Sequence, residues 1–232
     1  AYYYRFNSDN SNCRTWDDNC YTLVNPTSAA DRQNFAIWYA FYRNRALSMQ
    51  SSANLAFSQF SSSVRLTWQD LSNCTTLNSG TDCSGISYRG SNQLRTFDGQ
   101  ARANFFRWLG DINFNTGTPL RSALDRAGRF LQTSGKDAPY AKDPGATQSP
   151  EYACRPSYQI MMTDGKWNSD NIGAGNVDGS GQRLPDGTQY SPRAPFTDSA
   201  SNTLADLAFK YWATDAQPGI PNQLSPYIRD AS

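Results

Sequence analysis

Hard oxygen donors are what this 232-residue chain offers for chemistry. Asp164 ends the apolar run Ile160-Met161-Met162-Thr163 and is followed by Gly165, while Thr118 precedes Pro119 where an apolar helical stripe begins. A run without polar alternation reads as a strand buried on both faces of a parallel sheet, and ligands collect at the carboxyl ends of such strands. A helix-opening loop lies on the same side of such a sheet, so Thr118 and Asp164 can meet there as oxygen ligands for Mg2+ or Ca2+. Each also has a plainer reading: Asp-Gly is turn chemistry, and Thr-Pro is an N-cap followed by a first helical residue. A second oxygen set, Asn176, Asp178 and Asp186, lies in a long loop rich in Gly, Asn and Asp. Asn-x-Asp-Gly matches the start of a calcium loop, but the acid at its far end is missing, which favours a turn.

Other chemistry is excluded by residue type. The chain contains no histidine, so Ser-His-Asp and Cys-His catalysis and His-ligated metals are ruled out within it. Glu151 is the only glutamate, and no spacing singles out a pair of aspartates for paired-carboxylate hydrolysis. The glycines of Gly173-Ala-Gly-Asn-Val-Asp-Gly179 fail the dinucleotide-binding spacing, and no phosphate-binding P-loop occurs. The 21 basic and 20 acidic residues nearly cancel, which removes the electrostatic case for nucleic acid or an anionic membrane surface. No apolar stretch approaches the ~18 residues of a membrane span.

Cysteine spacing indicates the compartment. Cys13 and Cys20 flank one polar loop, Cys74 and Cys83 another, and neither pair has the CxxC spacing of zinc or redox sites. Two local disulfides, and hence an oxidising environment, are expected. Cys154 is left over, either as a free thiol or as the partner of a cysteine outside this sequence.

These residues need elements to position them. Residues 1–27 read as a disulfide-stapled surface segment. Phe35, Trp38, Tyr39, Tyr42, Ala46, Met49 and Ala53 recur at helical steps within a helix over 29–60, read as core-facing, with a capping-box-like start at Ser28 and a break between Arg43 and Ser52. Val64, Leu66 and Trp68 alternate as in a strand, and a polar loop over 70–97 precedes a helix capped by Asp98. The helix opened by Thr118 buries Leu120, Ala123, Leu124, Ala127 and Leu131, with Arg121, Asp125, Arg126 and Arg129 on its wet face. A further helix runs from about Ser199 to Thr214. Strands alternating with helices give an α/β fold with a mostly parallel sheet, helices on both faces, and one domain over 1–232. Two clear strands are too few to cover these helices, so others are short or lie outside the sequence.

Five segments carry a family resemblance: NFAIWYAFYRNR, SSVRLTWQ, GTPLRSALDRAGRFL, CRPSYQIMMTDGKWN and SNTLADLAFKYW. In this order they resemble the N-terminal von Willebrand factor A-like region of PilY-family type IV pilus tip adhesins. The resemblance implies a Rossmann-like doubly wound sheet with disulfide-stapled loop insertions. It also implies a metal-ion-dependent adhesion site built from an Asp-x-Ser-x-Ser loop, a Thr loop and an Asp loop. Thr118 matches the second loop and Asp164 the third; no Asp-x-Ser-x-Ser loop occurs in the chain. The expectation is therefore a domain incomplete at both ends that binds Mg2+ or Ca2+ only with ligands from the intact protein. The implied role is non-enzymatic: pilus assembly and retraction, adhesion, surface sensing, twitching motility and virulence at an extracellular pilus tip, beside minor pilins and an abiotic or host-cell ligand. The alternative is a secreted metal-dependent hydrolase on an α/β scaffold, and a purely structural spacer is a third reading.

Overall fold

The computed structural model describes residues 2–77, 91–146, 151–168, 170 and 172–221. Two compact units divide the chain, Ala1–Ala56 and Phe57–Ser232. Its elements in order are β1 (Tyr3–Phe6), a 3-10 turn, β2 (Tyr21–Val24), α1 (Ala29–Tyr42), α2 (Arg45–Ser58), β3 (Arg65–Leu66), β4 (Arg95–Thr96), α3 (Gly99–Asp111), α4 (Leu120–Leu131), β5 (Gln182–Arg183), β6 (Gln189–Tyr190) and α5 (Leu204–Ala213).

The first unit is a hairpin and a broken helix. β1 and β2 pair antiparallel, from Tyr3 opposite Val24 to Phe6 opposite Tyr21, and the Cys13–Cys20 disulfide closes the loop between them. The stapled segment is thus ordered as a strand pair. Ser28 caps α1 by accepting the Asp31 N–H at 3.0 Å. The helix breaks at Arg43 and Asn44 because the Asn44 side chain accepts the Leu47 N–H at 2.9 Å and starts a second helix there. Phe35 packs against Tyr3, Trp38 and Tyr39 with ring centroids about 6 Å apart. The stripe is not a closed core: Trp38 is 48% exposed, Tyr39 and Phe41 are also exposed, and α1 contains no buried residue.

The second unit is held by aromatic rings and helix pairing. Phe105 and Trp108 on α3 pack with Trp68, and Phe105 also meets Phe57 and Phe97. Arg102 lies over the Phe97 ring at 4.9 Å and donates to the carbonyls of Ser58 and Phe60, fixing α3 against the last residue of α2 and the chain just after it. Asn92, fully buried, donates to the carbonyls of Trp68 and Cys74 and so ties two loops without a ladder. α4 and α5 pack closely because Gly128 leaves room for the Tyr211 ring.

Among the described residues the three ladders are two-stranded and antiparallel: β1 with β2, β3 with β4, and β5 with β6. No parallel pair occurs among the described residues. The Val64–Trp68 strand is shorter than its alternation implies, with only Arg65 and Leu66 in a ladder. The run before Asp164 is neither paired nor buried: Tyr158 is 74% and Ile160 69% exposed, and Met162 is also exposed. That corrects the expectation of a strand covered on both faces. An apolar run is covered only where neighbouring strands flank it, and no described segment does so.

Candidate functional site

The site is the loop cluster at the amino end of α4. The helix starts at Leu120 with Pro119 at its cap position, one residue later than the Thr-Pro pattern predicts, and Pro119 makes no side-chain cap bond. Proline carries no side-chain acceptor, so the first turn must find one elsewhere. Asp170 supplies it. One carboxylate oxygen accepts the Ser122 N–H at 3.0 Å and the other accepts Arg121 Nε at 2.6 Å. Arg121 also donates to the Asp170 carbonyl, and through Nη1 to the Asn202 carbonyl at 2.9 Å. The Asp170 and Arg121 side chains are largely buried, which corrects the placement of Arg121 on a wet face.

Asp125 is likewise buried, and Arg126 is half-buried. Asp125 is 6% exposed and accepts the Tyr211 hydroxyl at 2.6 Å and Arg129 Nη2 at 2.7 Å, with Lys210 Nζ at 3.9 Å. Burial, then the hydrogen bond to Asp125 and its charge, push the Tyr211 phenol well above its ordinary range. Arg126 donates to Gln69 Oε1 and to the Leu71 carbonyl. Helical periodicity assigned these charges outward by residue type, but Tyr211 and Lys210 of α5 meet Asp125 and the 69–71 loop accepts from Arg126, while Arg129 stays exposed as expected.

The Thr118 loop is tied to the chain downstream of Asp164 at Asn168. The Thr118 N–H donates to Asn168 Oδ1 at 2.5 Å, and the Asn168 N–H donates to the Thr118 carbonyl at 3.1 Å. Gly117 is part of the fit, since a Cβ there would stand 3.0 Å from Asn168 Oδ1. Among the described residues the Thr118 side chain has no hydrogen-bond partner, and it is partly exposed. Asp164 is exposed at a bend where Gly165 takes a φ of +134° and donates its N–H to Thr163 Oγ1 at 3.3 Å. Neither Asn168 nor Asp170 carried a sequence signal; only their place just downstream of the Thr-Asp-Gly turn would have singled them out.

The second oxygen set is divided. Asp186 sits in the β5–β6 turn and accepts the Thr188 N–H at 2.9 Å. That backbone bond, with the Thr188 hydroxyl, lowers its carboxyl pKa. Asn176 and Asp178 lie in a turn stitched to the start of α5: Asn176 Nδ2 donates to the Asp198 and Ala200 carbonyls, and the Val177 N–H donates to Asp206. Asp206 completes a capping box with Thr203. Burial opposes its ionisation, but hydrogen bonds from the Thr203 backbone and hydroxyl and from Val177 outweigh it, and its pKa is lowered.

Cys74 is disulfide-bonded and buried, and its expected partner Cys83 lies outside the described residues. Cys154 is a free, exposed thiol. Among the described residues, no three His, Cys, Asp or Glu side chains gather as a metal-binding group. Thr118 and Asp164 supply two oxygens, and Asp170 is already engaged by Arg121 and Ser122. The described residues therefore fall short of the roughly six ligands that Mg2+ or Ca2+ requires. No helix among them is long and apolar enough to cross a membrane.

Comparison with known proteins matches this chain nearly end to end. A type IV pilus biogenesis factor PilY1 of Pseudomonas aeruginosa strain PAK is 50% identical over 228 residues, 98% of this chain and 19% of the relative. Its counterpart in strain PAO1 is 50% identical over 230 residues, and that in strain UCBPP-PA14 is 45% identical over 232. The chain thus spans about a fifth of the length of these relatives, 19% in each case. No family model matches it. No solved structure matches it.

Proposed function

We propose that this chain, which is related over 98% of its length to one section of the PilY1 type IV pilus biogenesis factors, is a non-enzymatic module of a pilus tip protein. In this reading it serves pilus assembly and retraction, twitching motility, surface sensing and attachment to abiotic surfaces or host cells, and it acts outside the cell beside minor pilins. The observation that carries the proposal is the identity of 45–50% sustained over 98% of the chain by three relatives named for pilus biogenesis. The Cys13–Cys20 disulfide supports the extracellular setting.

For the fold we propose a single von Willebrand factor A-like domain whose sheet the intact protein completes. Two observations support it. Asn168 ties the chain downstream of Asp164 to the Thr118 loop, as two loops at one sheet edge would require. The apolar run at Tyr158, Ile160 and Met162 offers an extended surface for flanking strands. A Mg2+ or Ca2+ ion at Thr118 and Asp164 belongs to the intact protein only, because two donors do not fill a coordination shell of about six.

The test is made in bacteria that carry the full-length protein. Deletion of residues 57–221 is expected to reduce surface pili and attachment, and the intact protein is expected to copurify with sheared pili. Asp164→Ala is expected to reduce divalent-dependent attachment with no turnover at stake. A protein confined to the cytosol would refute the reading, and divalent-dependent hydrolysis lost in Asp164→Ala would replace it with the hydrolase.

A further inference from the structure

Asp-Gly occurs four times in the chain, at Asp98-Gly99, Asp164-Gly165, Asp178-Gly179 and Asp186-Gly187. The pair is especially prone to backbone cyclisation, because glycine has no Cβ to shield its own nitrogen and adopts conformations closed to other residues. That nitrogen can attack Cγ of the preceding aspartate and close a five-membered succinimide. By sequence the four pairs are equivalent, but their surroundings in the fold are not.

Three of the pairs are held against the attack. Ring closure turns the Asp-Gly peptide unit onto the side-chain carboxyl, so any bond that fixes that unit opposes it. The Asp98 carbonyl accepts the Arg102 N–H at 3.0 Å, and turning it would undo the start of α3. The Asp178 carbonyl accepts the Tyr190 hydroxyl at 2.9 Å, and at 3% exposure the residue is shielded from the water that hydrolysis needs. Asp186 is fixed at both reacting groups: its carboxylate accepts the Thr188 N–H at 2.9 Å, and the Gly187 N–H donates to the Leu184 carbonyl at 2.9 Å. Asp164 and Gly165 differ on each count. Both are exposed, at a bend outside helices and ladders. The Gly165 N–H meets the Thr163 hydroxyl at 3.3 Å, at the long end of the hydrogen-bond range and within the bend itself. A Cβ at Gly165 would meet nothing within 4 Å, so the bend has room to pivot.

We propose that Asp164-Gly165 is a site of spontaneous isoaspartate formation, by attack of the Gly165 nitrogen on Asp164 Cγ at an exposed bend with room to pivot. The N–Cγ bond forms as the Cγ–OH bond breaks, and the amide proton and the hydroxyl depart as one water, with no change of oxidation state. A water molecule then opens the ring. Its attack at Cγ restores aspartate, whereas its attack at the main-chain carbonyl leaves the chain running through Cγ as isoaspartate. The backbone is then longer by one methylene, and the carboxylate sits directly on Cα. The chemistry needs no part of the adhesion reading; under that reading it withdraws the third-loop acid, so attachment declines as the protein ages.

Peptide mapping of the full-length protein tests it. After prolonged incubation in warm heavy-oxygen water with EDTA, the Asp164 peptide is expected to gain heavy oxygen and an isoaspartate isomer at least about fivefold faster than the Asp98, Asp178 and Asp186 peptides, whose turns must open first. Asp164→Asn is expected to accelerate the change, because ammonia leaves through the same ring more readily than water, and Gly165→Ala to slow it. Equal rates at the four pairs, a faster rate at any of the other three, or an unchanged Asp164 peptide overturns the proposal. Alanine is strained at the φ of +134° that Gly165 takes, so the comparison of the four pairs in the wild-type protein decides the matter even if Gly165→Ala fails to fold. The isomer is read chemically and attachment is read in cells, so either reading can fail without the other.

Discussion

Gly128 and Tyr211 make one contact that a single methyl group would break. A Cβ at Gly128 would stand 2.4 Å from three ring carbons of Tyr211, and the ring cannot swing aside because its hydroxyl is held by Asp125 at 2.6 Å. Gly128→Ala gains helix propensity of about 1 kcal/mol, but the overlap costs about 1–3 kcal/mol and forces α5 outward. The expected result in urea unfolding is a net loss of stability. Tyr211→Phe keeps the ring and removes the hydrogen bond, at a cost of about 1–2 kcal/mol. The raised pKa of Tyr211 gives a second readout with a definite sign. Its folded value lies above the unfolded one, so the contribution is complete below about pH 10 and is lost as pH rises through the folded value. An ultraviolet titration is expected to show one late phenolate step that Tyr211→Phe lacks.

At the scale of elements, the ends of helices decide where loops lie. α4 begins with a proline that cannot cap, and Asp170 does so from a loop that the chain reaches only after the Thr-Asp-Gly turn. Asp170→Ala removes the cap and leaves the Arg121 guanidinium without its carboxylate, so a loss of about 2–4 kcal/mol is expected in denaturant unfolding. Asp170→Asn, which keeps an acceptor for the Ser122 N–H, is expected to lose less, and equal losses would show that only the charge matters. α5 behaves differently because its cap is local. The depressed pKa of Asp206 means that the capping box contributes fully above the unfolded value near pH 3.9 and fades as pH falls through the folded value. Amides of the first turn of α5 are expected to lose protection in that acid range, and in Asp206→Asn that loss is expected to be absent.

For the whole molecule, cross-links and exposed apolar surface matter most. The Cys13–Cys20 bridge spans a short loop inside the β1–β2 hairpin, and such a closure is worth about 2–3 kcal/mol. The double variant Cys13→Ser with Cys20→Ser is expected to lose exchange protection over residues 3–24, while the α4 and α5 amides keep theirs. Trp38, Tyr39 and Phe41 on α1 and the run at Tyr158, Ile160 and Met162 remain open to solvent in this chain.

Local chemistry was legible from the residues themselves. Ser28 as a cap, the helix break at Arg43 and Asn44, the Cys13–Cys20 bridge, and helices over 99–111, 120–131 and 204–213 all follow from side chains acting within a few positions of one another. Long-range pairing was not legible. Asn168 on Thr118, Asp170 on α4, Asp125 under Tyr211 and Asn176 against the 198–200 carbonyls join residues far apart in sequence, and no periodicity encodes which polar side chain meets which backbone group. The apolar run before Asp164 marks the same division: its composition states that it should be covered, but only neighbouring chain can cover it. Hydrophobicity is a property of a segment, whereas burial and hydrogen-bond partnership belong to the assembled structure.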